Sequence, residues 1–162
     1  MKELLKIQSK PVVVGNVKIT KKIDLTKKTG AVKLPCRINV SLEMTNDFSF
    51  SMANNLGEEV VIGFDKESNQ FFIDRSKSGK TDFEKGFGAR HTAPRFSTNA
   101  KMNISLVIDV ASVELFADDG LTVMTDIFFP NKPYNKIYVS SAGSGTLIKK
   151  LEYIKLKSTF IK

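Results

Sequence analysis

The sequence predicts an all-β chain, a two-layer antiparallel β-sandwich of jelly-roll or concanavalin-like type, and three observations carry that expectation. Alternation of apolar and polar residues with a period of two dominates the chain, while helical periodicity is nearly absent. Turn residues separate the alternating runs at short spacing, with no helical interlude of the kind a parallel sheet requires. The stretch Asp109–Pro130 adds a hairpin signal: Ser112–Ala117 and Leu121–Phe129 flank Asp118-Asp119-Gly120, an acidic, Gly-closed turn.

In chain order, residues 1–10 read as a connecting tail and residues 11–162 as a single domain. Val12–Val14 and Val17–Leu25 are the first two expected strands. Ile38, Val40, Leu42 and Met44 then share one face, with Asn39, Ser41 and Glu43 on the other. Phe48, Phe50 and Met52 repeat the pattern, as do Met102, Ile104, Leu106 and Ile108. Further strands are expected at Val60–Phe64, Phe71–Arg75, Ile137–Ser141 and Thr146–Leu156, giving about ten to twelve in all. Thr29-Gly30, Thr45-Asn46-Asp47, Asn54-Asn55-Leu56-Gly57, Ser78-Gly79 and Gly143-Ser144-Gly145 supply the turn chemistry. One longer stretch, Ser76–Asn99, is rich in Gly, Lys and Ser and reads as an irregular loop; loops of that length are often functional.

Size and composition narrow the function. A chain of 162 residues buries about 70% of the surface its unfolded form exposes, so no disulfide or metal is needed to hold it together. The single Cys36 has no bridging partner and no Cys or His at metal-ligand spacing. Net charge is +8 with a pI near 9.5, yet the lysines are scattered and no basic block exceeds two residues, which argues for a solvated surface over nucleic-acid binding. No apolar run approaches the roughly 20 residues of a membrane span. The first six residues carry no long apolar core or cleavage site, so no signal peptide is expected.

Enzyme chemistry has few candidates. His91 is the only histidine, and its neighbours Thr92-Ala93-Pro94 form no nucleophile elbow. Ser78-Gly79-Lys80-Thr81 ends like a phosphate loop but lacks its first glycine and its strand-to-helix setting. Asp109, Asp118 and Asp119 read as turn residues whose carboxylates bond their own backbone. Two strands resist such readings. Alternation puts Glu114 with Phe116 on one face of their strand, and Arg75 with Phe71 and Ile73 on one face of theirs, opposite Asp74 and Phe72. A charge inside an aromatic-bearing strand is costly unless it is paired or faces a cleft. Two readings stay open: a structural Arg–Glu or Arg–Asp bridge, or a sugar-binding set of Asp74, Arg75, Glu114 and Phe116, in which charged groups bond vicinal hydroxyls and the ring covers an apolar sugar face.

The segments Phe72–Gly79, His91–Pro94, Leu106–Gly120 and Val123–Pro130 together resemble the C-terminal β-sandwich domain of glycoside hydrolase family 32, the levanases, inulinases and invertases. The match is in order over about residues 71–130, and the flanking strands agree by pattern only. Asp118 departs from the Asn that members often carry, a change expected to affect only a turn. The resemblance implies that catalysis resides in an N-terminal five-bladed propeller with its own signatures. This chain has no Trp, no Arg-Asp-Pro and no Glu-Cys, so it is expected to be non-catalytic alone, with no cofactor and no metal. The implied partner is that propeller, with Phe83, Phe87, His91 and Phe96 of the long loop as interface candidates. Fructan is the second implied partner, because family 66 carbohydrate-binding modules are related sandwiches that hold terminal fructose. A secreted or periplasmic parent enzyme is also implied.

Overall fold

The computed structural model describes residues 8–43 and 46–157. Met44 and Thr45, expected in the third strand and its turn, lie outside the described residues, as does most of the expected tail. Among the described residues, twelve strands form two six-stranded antiparallel sheets. They are β1 Val12–Ile19, β2 Ile23–Asp24, β3 Cys36–Glu43, β4 Phe48–Ala53, β5 Glu59–Asp65, β6 Gln70–Lys77, β7 Arg90–Pro94, β8 Lys101–Ile108, β9 Ser112–Ala117, β10 Thr122–Ile127, β11 Lys136–Ser141 and β12 Thr146–Lys155. One sheet runs β1-β12-β3-β8-β9-β10 and the other β2-β11-β4-β5-β6-β7.

The period-two pattern places the core. β3 alternates buried and half-buried without exception, sending Cys36, Ile38, Val40 and Leu42 inward. Met102, Ile104, Leu106 and Ile108 do the same from β8, and Val113, Leu115 and Ala117 from β9. From the second sheet come Phe48, Phe50, Ile62, Phe64, Phe71 and Ile73, with Phe64 and Phe71 in ring contact at 5.2 Å. Side chains of two inner faces interdigitating in one layer are what an aligned sandwich requires.

Three local expectations are corrected. Val12–Val14 and Val17–Ile19 form one strand, because Asn16 takes a left-handed φ of 50° and lets β1 continue its ladder along β12. The remainder of the expected Val17–Leu25 strand is only the short β2, followed by one helical turn, α1, at Thr26–Thr29. Ser76–Asn99 is not wholly irregular either: β6 extends to Lys77, and β7 lies within the stretch. β7 escaped the pattern because it is an edge strand, mostly exposed and closed by Pro94, so it carries no apolar alternation. Of the expected tail, Ser9 donates its backbone N–H to the Lys155 carbonyl (2.9 Å), and Gln8 bridges Leu156.

The predicted hairpin is present, with β9 and β10 paired from Ser112↔Ile127 to Ala117↔Thr122. Its turn is a short 3₁₀ segment in which Asp118, Asp119 and Gly120 all have positive φ (48°, 60° and 91°). Aspartate and glycine are among the residues that enter this region at least cost, which is why the tripeptide works here.

Candidate functional site

β7 and β10 are the edge strands of opposite sheets, and they face each other across one side of the sandwich. Three polar stitches close that side. At one end, Arg95, just past β7, pairs with Asp118, just past β9: Nε donates to Oδ2 at 2.6 Å and Nη2 to Oδ1 at 3.1 Å. Arg95 Nη2 also donates to the carbonyls of Asn99 and Lys101. In the middle, the Thr122 hydroxyl donates to the Pro94 carbonyl at 2.8 Å. At the other end, Arg75 of β6 meets Asp126 of β10 with Nη1 to Oδ1 at 3.3 Å, both side chains buried.

This third stitch is the most elaborate. Arg75 Nη1 also donates to the Ile127 carbonyl at 2.8 Å. His91 sets Nδ1 2.9 Å from Asp126 Oδ1, and its Nε2 lies 3.5 Å from Arg75 Nη2. With the proton on Nδ1, a neutral imidazole donates to the carboxylate and presents its bare Nε2 to the guanidinium. The guanidinium plane in turn lies 4.4 Å below the ring of Phe87. Phe87 stacks on Phe129 at 5.6 Å, and Phe83 packs edge-on against Phe129 and tilted against Phe87 at 4.5 Å. The loop that delivers these rings is tied down at its root. Lys80 N–H donates to the Phe129 carbonyl, and Tyr134 Oη–H to the Ser78 carbonyl at 2.8 Å. Gly79 between them has φ 119°, and a Cβ there would collide with the Phe129 carbonyl. The outcome is an ion pair roofed by a ring cluster whose top is open to solvent: Phe83 is 57% exposed and Phe129 40%.

The residues singled out from the sequence separate. Phe83, Phe87 and His91 gather at this end of the β7–β10 side. Phe96, 68% exposed, follows Arg95 at the other end and is not part of the cluster. Arg75 takes the bridge reading, but with Asp126, which alternation along Thr122, Met124 and Asp126 could have flagged as an inward-facing acid. Asp74 bonds the Ser76 backbone N–H on the outer face of the second sheet. Glu114 and Phe116 lie on the outer face of the first sheet, so the four sugar candidates do not converge. Asp118 is also corrected. Its carboxylate takes a buried arginine rather than its own turn, while Asp109 does bond the adjacent Val110 N–H.

Other chemistry is sparse. Burial pushes the Cys36 thiol up to about 12, which favours its protonated, weakly nucleophilic form at neutral pH. Among the described residues no group of three or more His, Cys, Asp or Glu could hold a metal ion. Among the described residues no helix is long and apolar enough to cross a membrane.

Residues 3–155 match the family described as glycosyl hydrolases family 32 C terminal. The chain belongs to that family. It is 29% identical over 131 residues to a levanase from Bacillus subtilis (strain 168), a match covering 80% of this chain but only 19% of the levanase. The fold of family 32 enzymes recurs at lower identity. The exo-inulinase of Aspergillus awamori superposes with a TM-score of 0.74 at 20% identity, over 97% of this chain and 31% of that one. Fructan 1-exohydrolase IIa from Cichorium intybus gives 0.81 at 13% identity, over 98% and 37%. The chain thus spans about a fifth of its levanase relative and corresponds to that family's C-terminal β-sandwich.

Proposed function

We propose that this family 32 C-terminal domain is a non-catalytic accessory module that stabilises the N-terminal catalytic propeller of a fructan- or sucrose-cleaving hydrolase and edges its substrate groove. In this reading residues 1–10 lead from the propeller into a single sandwich domain of residues 11–162. The observation that carries the docking is the ring cluster of Phe83, Phe87 and Phe129. Clustered aromatics left open to water mark a contact site. These rings are also held in place by the Arg75–Asp126 pair beneath them, and a fixed ring loses little side-chain entropy on docking. The absence of the family's Trp-, Arg-Asp-Pro- and Glu-Cys-bearing motifs from the sequence supports the non-catalytic part.

The test uses both the chain and its intact parent enzyme. The 162-residue chain is expected to turn over no sucrose, levan or inulin. In the parent, Phe83→Ser with Phe129→Ser is expected to shorten the half-life of activity at elevated temperature. The same pair in the isolated chain leaves its own melting midpoint within a few degrees, because neither ring is part of the buried core. Turnover by the chain alone, or a parent indifferent to the double substitution, overturns the reading.

A further inference from the structure

The outer face of the first sheet carries an open groove of about 420 Å³ whose lining includes Arg37, Asn39, Ser105, Phe116, Lys150 and Glu152. It lies apart from the Arg75–Asp126 cluster and plays no part in the docking reading. Its order follows from strand register. Asn39 of β3 is opposite Glu152 of β12 and Ser105 of β8; Ser105 is opposite Phe116 of β9; and Phe116 is opposite Val123 of β10. Glu152, Asn39, Ser105, Phe116 and Val123 therefore form one transverse row across five strands, stepping about 4.8 Å from strand to strand.

Three properties of the row point to a ligand. First, its polar groups fix one another. Arg37 Nε donates to Asn39 Oδ1 (2.9 Å) and Ser105 Oγ (3.0 Å), Ser105 Oγ–H donates to Asn39 Oδ1 (3.0 Å), and Asn39 Nδ2 reaches Glu152 Oε2 (3.4 Å). The Glu152 carboxyl is held below its ordinary value, first by the Lys150 ammonium at 2.7 Å, against partial desolvation, and then by Asn39. Yet the four Nη–H groups of Arg37 have no hydrogen-bond acceptor among the described residues, so a preset donor fork is left over. Second, Phe116 is only half-buried, and its ring stacks on no other aromatic ring or cation among the described residues. The outer face of the second sheet differs here: its Phe72 ring is already covered by the Arg90 guanidinium at 3.7 Å. Third, the lining is neutral in balance, with Arg37 and Lys150 offset by Glu152 and Asp119, although the whole chain carries +8. A site for nucleic acid or another polyanion would concentrate the excess positive charge; this one does not.

We infer that this groove binds a neutral oligosaccharide, with Phe116 stacking on one sugar ring and Arg37, Asn39, Ser105 and Glu152 hydrogen-bonding the hydroxyls of its neighbours. The inter-strand step is close to the length of one sugar residue in a chain, so successive side chains of the row meet successive residues of the ligand. A groove of this volume with one apolar platform and a few fixed polar groups is typical of small-ligand sites.

The experiment is a calorimetric titration of the 162-residue chain with four probes: levan oligosaccharides, inulin oligosaccharides, maltooligosaccharides and dextran sulfate. At least one neutral probe is expected to bind at up to millimolar concentration, and the identity of the strongest one names the sugar. Phe116→Leu keeps an apolar side chain but removes the platform, and Asn39→Ala removes the centre of the polar row. Each is expected to weaken binding about five- to ten-fold, while Arg90→Ala on the other outer face leaves it unchanged. The inference is overturned if no neutral probe binds, if only dextran sulfate binds, or if Phe116→Leu and Asn39→Ala, both still folded by circular dichroism, bind as the wild type does. None of these outcomes bears on whether the ring cluster docks a propeller, which is tested by parent-enzyme half-life.

Discussion

The two buried arginines at opposite ends of the β7–β10 side make the same kind of bond and serve different ends. Arg95 is sealed. Its side chain is 1% exposed, its fork is bidentate to Asp118, and two backbone carbonyls share its Nη2. Arg75 is buried too, but its acid partner is shared with a half-exposed histidine, and its Nε has no partner. Its open side is roofed by rings that themselves meet solvent. A buried ion pair closed off from water locks a fold, whereas one finished by exposed groups couples the core to whatever covers them. The first arrangement is a staple; the second holds a surface in shape.

The largest expected effect follows from the sealed pair. Arg95→Ala strands a buried carboxylate and two carbonyls, and should cost about 3–5 kcal/mol, a large part of a domain's total stability. Urea unfolding would read this as a steep drop in midpoint with little change in slope. Asp118→Asn keeps both the left-handed turn and an acceptor for Arg95, and should cost clearly less. If the two substitutions cost the same, charge rather than geometry holds this end, and the distinction drawn between the arginines fails.

Arg75→Ala should cost less, about 2–3 kcal/mol, since His91 still bonds the orphaned Asp126. Its signature is elsewhere. Without the guanidinium beneath it Phe87 loses its platform, so ring-current shifts of Phe83, Phe87 and Phe129 in a methyl and aromatic NMR spectrum should collapse toward random-coil values. Arg95→Ala variants that remain folded should leave those shifts in place. Rings that keep their positions without Arg75 would separate the ion pair from the surface it is argued to shape.

How much of this was readable from the chain depends on how local each feature is. Ile38, Val40 and Leu42, or Met102 through Ile108, declare themselves because burial on one face of a strand imposes a two-residue period on neighbours. The Asp118-Asp119-Gly120 turn is equally local. The stitches are not. Arg95 and Asp118 sit 23 positions apart, just beyond two strands of different sheets, and neither belongs to an alternating run. Arg75 was visible as a misplaced charge, but its partner is chosen by which edge strands the topology sets face to face. The row Glu152–Asn39–Ser105–Phe116 was hidden for the same reason: four strands contribute one residue each, and only register aligns them. Phe116 was legible as a candidate, its companions were not.

The smallest effect tests whether the two ends are independent. His91 is 48% exposed in its side chain, so His91→Ala removes a hydrogen bond that water can replace, and should cost at most about 1 kcal/mol. Its value lies in a double-mutant cycle. His91 and Arg75 share the Asp126 carboxylate, so removing both should cost more than the sum of the single losses: the second removal leaves the carboxylate with no side-chain partner. A coupling of about 0.5–2 kcal/mol is expected. His91 and Arg95 are four residues apart along an extended strand, about 13 Å, and pair with different carboxylates, Asp126 and Asp118, so their losses should add within about 0.5 kcal/mol. Additivity in the first cycle would mean that Asp126 does not join histidine and arginine into one unit. Coupling in the second would mean that the β7–β10 side responds as a single element, with the staple and the surface support inseparable.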